Sequence, residues 1–463
     1  MGKLFNVSLA IFAATGSFLF GYDAGVMTDV IGSNNFLKYF NTTNTSAIIG
    51  AINSTFNGGA VFGSLMGGFT MDRFGRKMTI QIGALICLVG AILQSSARNL
   101  GMILVGRIMA GWAVGLLSMA VPVYQSECAH PKIRGLIVDA DLRDVSSTWV
   151  GYGSSYAGDQ SQFQWRFPLA FQAVPCIILA LGMFFFPESP RHLMATDRED
   201  EAMKILRKLH YNGSNDDWLN QEFNEIKQTL AAEKAITVPG WGIMFTVPQW
   251  RTRLLHGVAV QVFTQMNVIG YYQVVMYEAL GFTGGKSIMI AGIYNCIGPL
   301  ATLICEGVVN SQNVDGTHHG LSIAGVFFIF LVTIIFSFSF GPVSWVYMSE
   351  VMPMQIRARG NAFATGIGNW LVATFWAQLS PIALGKIGWK FYFIFVTFNI
   401  LVTFPVIFLF FKETKQVSLE DIDLLFGERA LGTLLDDLNK EGTEIGKGDL
   451  EIPGVQEVAK STV

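Results

Sequence analysis

Residues 122–135 read Pro-Val-Tyr-Gln-Ser-Glu-Cys-Ala-His-Pro-Lys-Ile-Arg-Gly, and residues 345–360 read Trp-Val-Tyr-Met-Ser-Glu-Val-Met-Pro-Met-Gln-Ile-Arg-Ala-Arg-Gly. Both hold Tyr-x-Ser-Glu, ending at Glu127 and at Glu350, and in both an Arg follows the Glu by seven residues, Arg134 and Arg357. The two Glu lie 223 residues apart. A second echo runs in the same order: Pro187-Glu188-Ser189-Pro190-Arg191 and Lys412-Glu413-Thr414-Lys415, with Glu188 and Glu413 separated by 225. Two motifs repeated in order at nearly one offset mark an internal duplication. Each copy of the first motif closes a long apolar run, so the repeated unit is a membrane-embedded half.

The composition agrees. Of 463 residues, 51% are hydrophobic and 14% charged, and the mean hydropathy is +0.43. These values exclude an ordinary soluble enzyme and a disordered chain. The net charge of −3 points to no particular partner. Five cysteines, at 87, 128, 176, 296 and 305, sit in or beside apolar runs without metal-ligand spacing. They read as small buried hydrophobes rather than a disulfide framework.

Ten charge-free runs reach spanning length, from 4–22 to 391–411; crossing a hydrocarbon core of about 30 Å takes about 20 helical residues. The first is read as a span rather than a cleaved signal, since nine similar runs follow. With a cytoplasmic N-terminus and an up-and-down path, the inner links hold sixteen Lys and Arg against six outside. Positive residues stay inside, which fixes this orientation with both termini cytoplasmic. The sequons at Asn41 and Asn44 then face outward as glycosylation sites, and Asn212-Gly213-Ser214 faces inward. Four segments follow: a first membrane half at 1–187, a cytoplasmic linker at 188–253, a second half at 254–412 and a polar tail at 413–463. Within the linker, Leu219, Phe223, Ile226 and Leu230 form a one-face helical stripe.

These residues carry a family likeness. Gly68-x-x-x-Asp72-Arg73-x-Gly75-Arg76-Lys77, Phe20-Gly21-Tyr22-Asp23, the Pro-x-Tyr-x-Ser-Glu and Pro-Glu-Ser-Pro-Arg blocks and the Trp-x-Tyr-x-x-Glu block stand in the order found in sugar porters of the major facilitator superfamily. Gln265, Asn267 and Tyr271-Tyr272 resemble that family's seventh-span sugar motif. The chain thus resembles a fungal-type sugar porter from about residue 15 to about 425. The resemblance implies an all-α membrane protein with the major facilitator fold: two pseudo-symmetric helical halves and nominally 12 spans.

It also implies roles. Asp72, Arg73, Arg76, Glu127, Arg134, Glu188, Arg191, Glu350, Arg357 and Glu413 fall at cytoplasmic span ends, where carboxylate–guanidinium pairs tie helices together and break as the inner side opens. Asp23 and Arg107 lie closest to the first-half spans; an ionisable group there implies pairing or water. In proton-coupled porters of this kind the Asp takes the proton and the Arg is its partner. Gln265, Asn267, Asn295, Trp345, Asn369 and Trp370 offer amides for sugar hydroxyls and aromatic faces for the ring. The expected partners are a sugar, a proton and the bilayer, with no cofactor, metal or nucleic acid, and the carrier is taken as a monomer and not an enzyme. His318-His319, near Asp315, reads as a polar outer loop.

The sequence also departs from the pattern. The second half has no Asp-Arg-x-Gly-Arg; its place is held by Ile293-Tyr294-Asn295-Cys296 inside an apolar run. The run 287–305 would have to begin and end outside, and Gly298-Pro299 interrupts it. Spans 8 and 9 therefore read as fused, with the loop between them lost. In the fifth span, Asp139, Asp141, Arg143 and Asp144 leave only 145–158 charge-free, about 21 Å of helix. In the seventh, Gln265 and Asn267 stand two apart where the family separates its second Gln from this Asn by five, which suggests three missing residues and a rotation of about 300° between the flanks. Lost segments at three points suggest dropped exons. Two readings stand: a plasma-membrane sugar carrier working by alternating access with a proton, and a transport-inactive relative or sugar sensor.

Overall fold

The structure is a computed structural model that describes residues 2–43, 46–128, 145–157, 160–211, 216–236, 241–265, 347–348, 351–352, 356–388, 390–411 and 426. The described residues are helical throughout, with no strand among them. Helix α1 spans Gly2–Ile31, α2 Asn34–Tyr39, α3 Ala47–Ser95 and α4 Leu100–Cys128. Helix α3 is two spans in one: it breaks at Gly75, whose φ of 86° and ψ of 169° leave helical space. Only glycine adopts that conformation without strain, and the break falls inside the basic link between the two runs.

The hairpin of α3 on α4 is the densest contact in the first half. Its backbones nearly touch: a Cβ added at Gly111 would stand 1.9 Å from the Phe56 carbonyl oxygen. Small residues allow this approach, and dispersion rather than hydrophobic transfer holds helices together in lipid. Arg166 donates to the carbonyls of Ser95 at 2.6 Å and Ala97 at 2.9 Å, the last residue of α3 and one just beyond it. One cluster around Tyr22, Phe36 and Trp165 and a second around Leu19, Cys87, Leu117 and Tyr124 fill the half. Phe184, Phe185 and Phe408 are 69%, 81% and 88% exposed, a surface suited to lipid rather than water.

Of the fifth span, the helix Val145–Ser155 is described, and residues 129–144 lie outside the described set. The linker stripe sits on a helix, Asp216–Ile236. Its Phe223, Ile226 and Leu230 pack on Leu193, Met194 and Ala202 of the two helices before it.

In the second half, Arg357–Phe363 continues as a π-helical stretch, Ala364–Leu371, and then Val372–Ile387. This column packs along α3. Ser54 donates to Gln378 Oε1 at 3.0 Å, and Gln378 Nε2 donates to the Ala47 carbonyl at 3.3 Å. The run 287–305, read in the sequence as fused spans, lies outside the described residues.

Candidate functional site

Helix ends on one side of the first half converge on Arg76. Its Nη2 donates to Glu127 Oε1 at 2.9 Å, and its Nε stands 2.9 Å from Glu127 Oε2. One prong of the guanidinium therefore bonds the carboxylate, and the other lies within ion-pair distance of its second oxygen without a hydrogen bond. Glu188 Oε1 accepts three main-chain N–H groups, from Arg76 at 3.1 Å, Lys77 at 3.2 Å and Ser189 at 2.9 Å. Those amides are available because the chain turns at Gly75; a Cβ there would stand 2.4 Å from Glu188 Oε2. Ser189 donates its hydroxyl to Glu127 and Tyr124 donates to the Pro187 carbonyl at 2.7 Å.

His192 joins this cluster. Arg76 Nη1 lies 3.1 Å from His192 Nδ1. A guanidinium only donates, so Nδ1 accepts and the ring is neutral. Burial, and then the Arg76 charge, push the His192 imidazole below its ordinary range. Asp72 lies within electrostatic reach of Arg76 and of Arg359 from the second half. Arg73 is exposed with its guanidinium 5.8 Å from the Phe74 ring centroid, and Arg191 is half-buried. Arg357 opens its helix. Arg134, Glu350 and Glu413 lie outside the described residues.

A second polar centre is buried in the first half. Asp23 is wholly buried; Cys87 Sγ donates to its Oδ2 at 2.7 Å, and Arg107 Nη1 donates to its main-chain oxygen at 3.2 Å. Asp23 Oδ1 accepts no hydrogen bond among the described residues. The Arg107 guanidinium lies 4.1 Å from the Phe56 ring centroid. Asp23 and Arg107 thus lie side by side, with the guanidinium bonded to the main-chain oxygen of Asp23. Cys87, read in the sequence as a small hydrophobe, is also a donor to the carboxylate. Cys128 and Cys176 are buried and in no disulfide among the described residues, while Cys296 and Cys305 lie outside the described residues.

In the second half, Gln265 Nε2 donates to Asn369 Oδ1, so those two amides face one another. Asn369 and Trp370 are buried within the π-helical stretch, a distortion common at functional sites. Trp370 shares a buried cluster with Phe56, Ala60, Ala110 and Val114, against which Ala24, the neighbour of Asp23, is packed. Asn267, Asn295 and Trp345 lie outside the described residues. Gln261 escaped the sequence reading. It is wholly buried one turn before Gln265, with Nε2 3.3 Å from Met348 Sδ and Oε1 accepting no hydrogen bond among the described residues. Asn53 on α3 is similar, wholly buried with neither amide atom bonded among those residues. An amide inside an apolar run was the available signal for both.

Asn41 is exposed in the outer loop with φ of 48°; Asn44, His318 and His319 lie outside the described residues.

The model of the sugar (and other) transporter family matches residues 9–311 and 300–426. The chain is 34% identical to the MFS-type transporter criB of Aspergillus cristatus over 92% of this chain and 95% of that one. It is 30% identical to the MFS glucose transporter mfs1 of Aspergillus flavus over 92% and 90%. That second alignment runs over 488 positions, more than the 463 residues available, so gaps lie opposite this chain. Among solved structures, the proton:xylose symporter XylE bound to 6-bromo-6-deoxy-D-glucose superposes with a TM-score of 0.73 at 23% identity, covering 92% of this chain and all of that one. The fold is therefore that of a major facilitator. With its membrane helices, duplicated motifs and family match, the chain belongs to the sugar transporter family of the major facilitator superfamily.

Proposed function

We propose that this protein carries a monosaccharide or disaccharide across the plasma membrane by alternating access, with Asp23 taking and releasing a proton in each cycle. One observation carries the coupling: a wholly buried carboxylate, bonded by a thiol and adjoining a buried guanidinium. Such a group changes charge only when solvent reaches it, so its protonation is tied to conformation. Gln265, Asn267, Asn295, Trp345, Asn369 and Trp370 hold the sugar between the halves 1–187 and 254–412. The cytoplasmic cluster, Asp72, Arg73, Arg76, Glu127, Arg134, Glu188, Arg191, Glu350, Arg357 and Glu413, closes the inner side. The linker 188–253 and tail 413–463 are cytoplasmic, and Asn41 and Asn44 are modified outside. The protein acts as a monomer in the bilayer.

Uptake of labelled hexoses and disaccharides in cells lacking their own carriers tests this. Uptake should fall steeply at alkaline pH, and Asp23→Asn should abolish accumulation. Accumulation by that variant equal to the parent's would overturn the symport.

A second reading, a transport-inactive relative or sensor, has its own support. The family match splits into two segments that meet at 300–311, beside the Gly298-Pro299 break. Restoring the relatives' residues there would recover uptake in an otherwise inactive chain; an unaltered chain that already transports sinks this reading.

A further inference from the structure

The proton site and the sugar site lie in different halves, yet one side chain touches both neighbourhoods. Phe56 is wholly buried on α3. The Arg107 guanidinium sits 4.1 Å from its ring centroid. The same ring packs in the cluster that holds Trp370 of the second half and Ala24, the neighbour of Asp23. Phe56 also cannot shift independently of α4. Gly111, one turn after Arg107, is so close to the Phe56 carbonyl that an added Cβ would stand 1.9 Å from it. The ring is thereby held at a fixed height against the guanidinium.

We propose that Phe56 is the positioning residue that links protonation of Asp23 to sugar binding at Trp370. The inference rests on the reading of those two residues given above. An ionised Asp23 balances the Arg107 charge. A protonated one leaves the guanidinium to the Phe56 face, because a cation is drawn to the ring quadrupole most strongly where water is absent. Among the described residues, the charged and titratable groups facing this centre are Asp23, Tyr22 and, further along α1, Asp29; Arg107 on α4; and the thiols of Cys87 on α3 and Cys176 on the helix Ala173–Gly182. A change in ring position then reaches Trp370 through the buried cluster that both rings share. By linkage, a proton that strengthens sugar binding must itself be held more tightly when sugar is bound.

The test is D-glucose binding to the purified full chain at pH 5.5 and pH 7.5, measured calorimetrically. The parent should bind about tenfold more tightly at the lower pH, within the usual range of coupling between sites. Phe56→Leu, similar in bulk but without a π-face, should bind at both pH values with less than about a twofold difference. Phe56→Tyr should keep the parent's ratio. A purely packing role would instead weaken binding equally at both pH values in Phe56→Leu. That result, or a tenfold ratio retained there, overturns the proposal. Asp23→Asn is the separate control: if it keeps the tenfold ratio, the assignment of the proton site fails, whatever Phe56 does.

Discussion

The Cys87 thiol donates a hydrogen bond to Asp23 Oδ2 at 2.7 Å in a place where neither side chain meets solvent. A donor to a carboxylate stabilises its ionised form. Removing it favours the protonated form, so proton loading should persist into more alkaline medium. Cys87→Ala is expected to move the alkaline limb of the uptake–pH profile upward by about one unit, the scale of one hydrogen bond to a charged group. Cys87→Ser, which keeps a donor, should leave the limb near the parent's. A profile unmoved in the alanine variant would show that the thiol only fills space.

Arg76 bonds one oxygen of Glu127 and lies 2.9 Å from the other, with side-chain exposures of 15% and 9%. Arg76→Ala leaves that carboxylate without its cation, at a cost of about 2 kcal/mol once residual solvent is allowed for. The state in which this cluster is formed should lose about thirtyfold in population relative to the one in which it is broken. Cys128, buried at the inner end of α4 beside this cluster, is a native reporter. Its alkylation in inside-out vesicles should accelerate by a similar factor. Arg76→Lys should fall between, since an ammonium keeps the charge but not the fork.

The sequence made this cluster visible because charges at span ends must be accounted for, and because Glu127 and Arg134 are echoed at Glu350 and Arg357. Asp23 and Arg107 stood out for a similar reason: an ionisable group beside an apolar run is costly unless it serves something. Cys87 was illegible, since a thiol reads as a hydrophobe until a carboxylate is seen against it. Gln261 and Asn53 carry no motif, so only their burial distinguishes them from packing amides. The approach of Trp370 to Phe56 crosses from one half to the other, and no local pattern records such a contact. The twist of α3 at Gly75 was legible as a link between two spans, but its use, presenting amides to Glu188, required the coordinates.

His192 accepts from Arg76, and both burial and that charge oppose its protonation. Its imidazole is held below the ordinary value of about 6.5. Above that value the ring is neutral whether the cluster is formed or broken, and the contact is intact. As pH falls below it, the broken state takes up a proton first, so the formed cluster loses stability progressively toward acid. The thermal stability of the purified protein should therefore decline between pH 7 and pH 5. His192→Gln, which can accept without titrating, should flatten part of that decline. Parallel curves for the two proteins would remove His192 from the pH response.

Gly111 and Gly58 separate close approach from mere helix composition. A Cβ at Gly111 would stand 1.9 Å from the Phe56 carbonyl oxygen, whereas one at Gly58 would meet nothing within 4 Å. Gly111→Ala must push α3 and α4 apart, and overpacking of a fixed backbone costs about 1–3 kcal/mol. Gly58→Ala gains helix propensity, about 0.8–1.0 kcal/mol at an unhindered site. The melting temperature in detergent should fall in the first variant and hold or rise in the second. Equal behaviour would mean that the two helices can separate freely, and a hairpin that loose could not hold the Phe56 ring against Arg107.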